Sequence, residues 1–464
     1  MMLFIAGMVV LALFVPAAMA ADYPQNGQFI AQYDENQLVK DTSSSKNAGT
    51  TIYNSAAAEK ASALVSATRT YVNPVNPGED WPLFMHDAAN TGFSPCDGVP
   101  QSSPTVTVFD EYEVPGAINP VIAGGYIILY TGYSGFDEGS ISEINLTCLY
   151  EDNLTVKWDY ALPRTIAYGS WASAATDGVY AYGVSDDEVV CVEIASGSEV
   201  WTYYTVGSVI CNGGPTIGGD YLFCSDWSGH YYCLDRYTGN EEWVFDDTDS
   251  TYDMEYTQGT PAYDSADGAI YVTSYGYSGG STGQLFKVDS SGNEVWSAQV
   301  SGSCFCGSPS IDDDFVYVTS YNFGGEGGLF KFNKTNGNLE DSVAIERTDA
   351  TPAIDEENGL IYVSGGCYGY ADPETRCYNI SDFSDLKWEN TIVGGWTCSV
   401  TLADGLAFVG RETGYPTYCY DRIYVFDAIT GAPKWYNAGG GSTAAIANDK
   451  VYSVGNDGAM YVFS

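Results

Sequence analysis

VVCVEIASGSEVW, from Val189 to Trp201, reads as a strand, a tight turn and a second strand that ends on tryptophan. The pattern returns along the chain as CLDRYTGNEEW (Cys233 to Trp243), VDSSGNEVW (Val288 to Trp296) and FDAITGAPKW (Phe426 to Trp435). Weaker copies occupy Asn145 to Trp158, Phe332 to Asp341 and Tyr378 to Trp388. Glycine after Ser or Thr supplies the positive φ of a hairpin turn, and the aromatic that follows offers a large apolar face to a neighbour.

A second pattern precedes each of these modules: strand, tight turn, and a strand carrying an aromatic. Its eight copies begin at Asn119, Ser173, Gly214, Thr260, Ser308, Thr351, Ser399 and Thr443. Tyr180, Tyr221, Tyr271, Tyr317, Tyr362, Phe408 and Tyr452 are read as one column, 41 to 50 residues apart. Each full unit then holds four short strands, A to D, and stacks only on its neighbours, which specifies an all-β, eight-bladed β-propeller of four-stranded antiparallel blades. The last unit, Thr443 to Ser464, stops after three strands. TVTVFDEYEV, Thr105 to Val114, lies ahead of the first hairpin without a partner and is expected to complete that blade, closing the ring.

Around this body the chain divides into three parts. Met1 to Ala20 is an apolar run ending in Ala18-Met19-Ala20, which fits a secretory signal peptide and implies a secreted or cell-surface protein. Residues 21 to 80 form a polar arm, with one candidate short helix at Ser55 to Thr68, and 81 to 464 form the propeller. Sixty acidic residues against 17 basic give a formal charge of −43. That charge repels phosphate backbones and anionic headgroups, so nucleic acid is excluded as a partner, and nothing after the signal inserts into a membrane.

Twelve cysteines in an exported chain favour disulfides. Cys224 and Cys233 flank CSDWSGHYYC, where a two-residue turn at Ser228-Gly229 would oppose them across strands B and C, and Cys367 and Cys377 take the equivalent places three blades later. Cys211, Cys304, Cys306 and Cys398 begin A strands, where pairing with Cys148, Cys191, Cys419 or one another is expected in preference to a metal site. Sequons at Asn145, Asn153, Asn333 and Asn379 admit N-glycosylation. Asp247, Asp249 and Asp253 are spaced as in a calcium loop, but the loop lacks glycine at its sixth place and has Gln258 where a bidentate Glu is required. Calcium is therefore a weak candidate, and no other cofactor is implied. Most of the 38 tyrosines fall in strand columns and are read as core. His86 and His230 are the only histidines, which leaves no Ser-His-Asp or Cys-His arrangement to propose.

WPLFMHDAANTGFSP, Trp81 to Pro95, followed by repeats of the form D-x-x-T-G-x-x-x-W, resembles the pyrroloquinoline-quinone-type propeller superfamily, which includes quinoprotein alcohol dehydrogenases and an eight-bladed outer-membrane assembly lipoprotein. The resemblance covers Trp81 to Ser464 and implies the fold. Dehydrogenases of that superfamily set a vicinal Cys-Cys disulfide against the quinone and bind calcium beside a catalytic Asp. Here the nearest feature is Cys304-Phe305-Cys306, and the first cysteine, Cys96, is far from any lipid-attachment position. The reading is an exported, non-catalytic propeller that acts as a cell-surface scaffold or binding module for protein or glycan. The alternatives are a quinoprotein dehydrogenase and a self-assembling subunit of a surface layer, sheath or filament.

Overall fold

The computed structural model describes residues 76, 78–114, 118–132, 144–162, 173–206, 214–246, 250–276, 281–322, 326–367, 371–412 and 420–464. The expected signal peptide, the candidate short helix and the rest of the arm up to residue 75 lie outside them, and residues 76 and 78–80 are the part of the arm that is described. The described residues form eight sheets and no helix. In order they are blade 1 (121–162), blade 2 (175–204), blade 3 (216–245), blade 4 (262–301), blade 5 (310–345), blade 6 (353–390), blade 7 (401–437) and blade 8 (445–463). Blades 1 to 7 each contain a consecutive four-stranded antiparallel meander and blade 8 a three-stranded one, so strand A of every blade lines the central channel and the last strand of each four-stranded meander faces outward.

Ring closure follows the sequence. Val106–Phe109 pairs antiparallel with Met460–Phe463 as the outer strand of blade 8, in the register Val106 to Phe463 and Phe109 to Met460. Thr105 and Ser464 exchange two backbone bonds of 2.9 and 3.0 Å at its start. Blade 7 carries a fifth strand, Phe93–Ser94, parallel to Leu402–Ala403 on the channel side.

One row of side chains repeats across the blades. In blade 2 it runs Ala175, Tyr182, Cys191, Trp201, and in blade 6 Ala353, Tyr362, Cys377, Trp388. This register corrects the aromatic column. Its members in blades 2 and 3 are Tyr182 and Phe223, since Tyr180 and Tyr221 lie two residues earlier on the same strand face.

The outer-strand tryptophan joins each blade to the next. Trp158 Nε1 donates to Ile194 O (2.9 Å), Trp201 Nε1 to Arg236 O (3.0 Å), Trp296 Nε1 to Lys334 O (2.9 Å) and Trp388 Nε1 to Ala428 O (2.7 Å). Each acceptor lies in the C–D turn of the following blade. That turn also explains its glycine: a Cβ on Gly337 would meet the Trp296 ring at 2.5 Å, and φ there is +71°. Glycine alone satisfies both the left-handed conformation and the indole contact.

Two junctions lack the tryptophan. In blade 5 its place is taken by Asp341, whose Oδ2 accepts from Phe383 N at 2.8 Å, and in blade 8 by Thr107. At that second junction Glu151 of blade 1 accepts from Asn448 Nδ2 (3.0 Å), Lys450 Nζ (3.2 Å) and Tyr452 OH (2.8 Å) of blade 8. The core is accordingly annular. One large cluster runs from blade 7 through 8, 1 and 2 into 3, and four smaller ones fill the junctions from 3/4 to 6/7.

The same row corrects the disulfide assignment. Cys224 opposes Tyr232 while Cys233 opposes Phe223, an offset of one residue that sends the two thiols to opposite faces of the sheet. They enter different core clusters. Cys377 opposes Tyr362, whereas the backbone of Cys367 opposes Ala371, about 16 Å further along the strand and beyond the ~7 Å Cα limit of a disulfide. Cys148, Cys191, Cys233 and Cys377 occupy one equivalent position in four blades and serve as small apolar packing residues, all buried and free. Cys304, Cys306 and Cys398 are likewise buried, and the Cys306 thiol is free, against the expected pairing. Cys211 and Cys419 lie outside the described residues.

Candidate functional site: the central channel

The inner edge of strand A presents backbone N–H and C=O groups to the channel, and buried there they need partners. Residues 79 to 94 supply them. Trp81 and Ile122 of blade 1 exchange two bonds of 2.8 Å, and Pro82 O accepts from Thr176 N of blade 2 at 2.9 Å. Ala88 O accepts from Tyr263 N (2.6 Å), Ala89 O from Ile311 N (3.0 Å), Thr91 O from Ile354 N (2.8 Å) and Gly92 O from Leu402 N (2.8 Å), which covers blades 4, 5, 6 and 7. Ser94 Oγ donates to Ile446 O of blade 8 at 3.1 Å. The strap thus ties together seven of the eight blades. Its partners lie toward the C-terminal ends of the A strands, so it closes the channel at the end where the A–B turns sit.

Local chemistry coils the strap to follow a circle. Met85, His86, Asn90 and Gly92 all take positive φ, from 52° to 76°. Asp87 Oδ1 accepts from Ala89 N (3.0 Å) and Thr91 N (3.1 Å), and the Thr91 hydroxyl bonds its other oxygen. Asn90 Nδ2 reaches the carbonyls of Thr260, Pro261 and Pro309 at 3.3, 3.4 and 2.9 Å, spanning blades 4 and 5. Trp81 is buried against His86, ring to ring at 5.2 Å.

Toward the opposite mouth, residues 346–352 lead from strand D of blade 5 into strand A of blade 6. The Arg347 guanidinium lies 5.2 Å from the ring centres of both Tyr321 and Trp396, which meet edge to face at 5.5 Å. Asp349 N donates to Trp396 O (2.8 Å), as does Thr348 Oγ1 (3.0 Å). The Cys306 thiol beside them is pushed well up by burial and then by the Asp349 charge. Between its two cysteines, Phe305 packs on Phe330 and Phe332 at 5.4 and 6.2 Å. Across the mouth, Tyr232 OH donates to Asp226 Oδ2 (2.7 Å), His230 Nδ1 lies 2.9 Å from the same oxygen, and Trp227 Nε1 donates to Tyr275 OH (3.2 Å).

These residues do not fit a stacked planar quinone. Tyr321 and Trp396 are each 1% exposed, with Arg347 against both, so neither ring offers a free face. Phe305 separates Cys304 from Cys306, so the two are not vicinal.

The remaining predicted site residues are scattered. Asp247 and Asp249 lie outside the described residues. Asp253 is exposed and contributes its backbone carbonyl, which accepts from Gln284 Nε2 at 2.9 Å. Among the described residues no three His, Cys, Asp or Glu side chains converge as a metal site. Asn153 is exposed on a C–D turn, with Oδ1 accepting from Thr155 N (2.9 Å) and Oγ1 (2.6 Å), while Asn145, Asn333 and Asn379 are half-buried.

The family model of the outer membrane protein assembly factor BamB matches residues 153–276 and 257–342. Its repeats are of the pyrroloquinoline-quinone type. The propeller is similar to a europium-containing methanol dehydrogenase, at 14% identity, with a TM-score of 0.64 over 84% of this chain and 98% of that one. It is similar to the quinohemoprotein alcohol dehydrogenase of Comamonas testosteroni, at 12% identity and a TM-score of 0.62 over 88% and 84% of the two chains. BamB of Moraxella catarrhalis aligns at 15% identity with a TM-score of 0.55, over 78% of this chain and 98% of its own. At these identities the likeness establishes the fold. No curated protein matches the chain by sequence.

Proposed function

We propose that the protein is an exported, non-catalytic propeller that works as a scaffold or binding module at the cell surface. The observation that carries this reading is the packing of described residues at both ends of the channel. The strap occupies one end, and the aromatic and cationic side chains at the other are stacked on each other rather than presented to a ligand. A propeller whose axis is packed in this way acts through its rims, whose turns vary without disturbing the blades. Similarity to BamB, an assembly factor, supports a protein-binding role. The named likeness to two alcohol dehydrogenases supports the alternative, a quinone-dependent enzyme.

The test is titration of the purified protein with pyrroloquinoline quinone in the presence of calcium, followed by dye reduction with a panel of alcohols and sugars. No quinone binding and no turnover are expected. Stoichiometric binding with turnover establishes the enzyme instead.

A further inference from the structure

Seven of the eight outer strands carry at least one charged residue, from Lys157 and Asp159 in blade 1 to Lys434 in blade 7. Charges on an outer strand keep it from pairing with another chain. The closing strand Val106–Phe109, of sequence VTVF, carries none, and the charge-free run extends back to Gly98. Val106 and Val108 are 36% and 42% exposed.

The backbone is equally unguarded. Thr105 and Ser464 form a reciprocal hydrogen-bonded pair, and alternation along an antiparallel ladder then turns the N–H and C=O groups of Val106 and Val108 away from blade 8. Blade 8 ends at this strand, so among the described residues nothing takes those bonds.

We propose that this strand is a self-association surface, on which a second copy of the chain pairs edge to edge, antiparallel, about a two-fold axis through Thr107. In that register Val106 of one copy meets Val108 of the other in a hydrogen-bonded pair, twice, and the two Thr107 side chains face each other. The charge pattern favours the same occupant. Asp110 and Glu111, which follow the strand, fall opposite Pro104 and Ser103 of the second copy, so no carboxylate faces a carboxylate. An isologous joint of this kind closes at two subunits. Its contact area is small, which places it among weak associations, and the −43 charge on each copy opposes it. Association therefore strengthens with salt as the repulsion is screened.

Sedimentation equilibrium of the full chain tests this, from low salt to about 1 M NaCl, where the Debye length is about 3 Å. The expected result is a monomer–dimer equilibrium that tightens with salt. Val108→Pro removes one outward N–H per copy and no bond within blade 8, and should weaken the dimer about tenfold or more, whereas Val108→Thr should not. If the proline variant loses the native circular dichroism spectrum, Val108→Lys gives the same comparison through charge. A protein that is monomeric at every salt concentration overturns the proposal. So does a dimer unaffected by both Val108→Pro and Val108→Lys, or one that disappears only when residues 21–70 are removed, which assigns the contact to the arm.

Discussion

Gly337 and Gly359 both take left-handed backbone, with φ of +71° and +65°, but only Gly337 lies against a ring. Alanine at 359 has open space and should cost about 1 kcal/mol for the conformation alone. Alanine at 337 adds a clash with Trp296 and should cost about 3 kcal/mol. Urea unfolding of the two variants checks the difference, and equal costs would remove the indole from the explanation. The row that holds the tryptophans also sets the cysteine chemistry. Burial pushes the Cys148 and Cys377 thiols up to about 12, so neither forms a thiolate near neutral pH. Iodoacetamide should leave Cys148, Cys191, Cys233 and Cys377 unmodified in the native protein and alkylate all four after unfolding. A Cys224–Cys233 peptide in an unreduced digest would contradict this. The cysteine column is readable in the sequence, since TCLY, VCVE, YCLD and RCYN align on the same strand. Hairpin geometry alone misled, because a B–C loop of uncertain length leaves register open by one residue, and one residue reverses the face.

At the scale of the element, the strands were legible and the strap was not. Eight A–B hairpins and the Gly turns announce themselves by alternation and turn chemistry, which are local properties. Residues 79 to 94 have no such period. Their order comes from the inner edges of blades far away in sequence and from the carboxylate of Asp87, so in the sequence the segment reads only as a motif without a period. Its physical role predicts a site of high cost. Asn90→Ala removes an amide shared among three buried carbonyls, and should destabilise the ring by about 1–3 kcal/mol through unsatisfied acceptors. Asn90→Asp keeps the shape but loses the donor and should cost at least as much. Chemical denaturation checks both, and a change below about 0.5 kcal/mol in either would mean the strap adds little to closure.

The whole molecule adds a pH dependence that no single blade shows. Glu346 and Glu356 have raised pKa values, first from burial and then from neighbouring carboxylates such as Asp372 and Asp312. In this window the folded state binds more protons than the unfolded one, so stability should rise as pH falls from neutrality toward the ordinary carboxylate range of about 4. Asp427 runs the other way. The Thr430 hydroxyl and amide lower its pKa, and the stability it contributes is lost as pH falls through that lowered value. A melting profile should therefore peak on the acid side of neutrality at low salt, and salt should flatten its neutral limb. Closure itself is tested most directly by comparing the thermal unfolding of two deletion variants in one calorimetric series. Removal of 21–70 should leave the transition of the full chain unchanged, because the ring and strap are intact. Removal of 101–115 takes away the strand that pairs with Met460–Phe463, and should lower the transition sharply and cause aggregation through the bared edge. Coincident transitions for the two variants would contradict a ring closed by its own N-terminal strand.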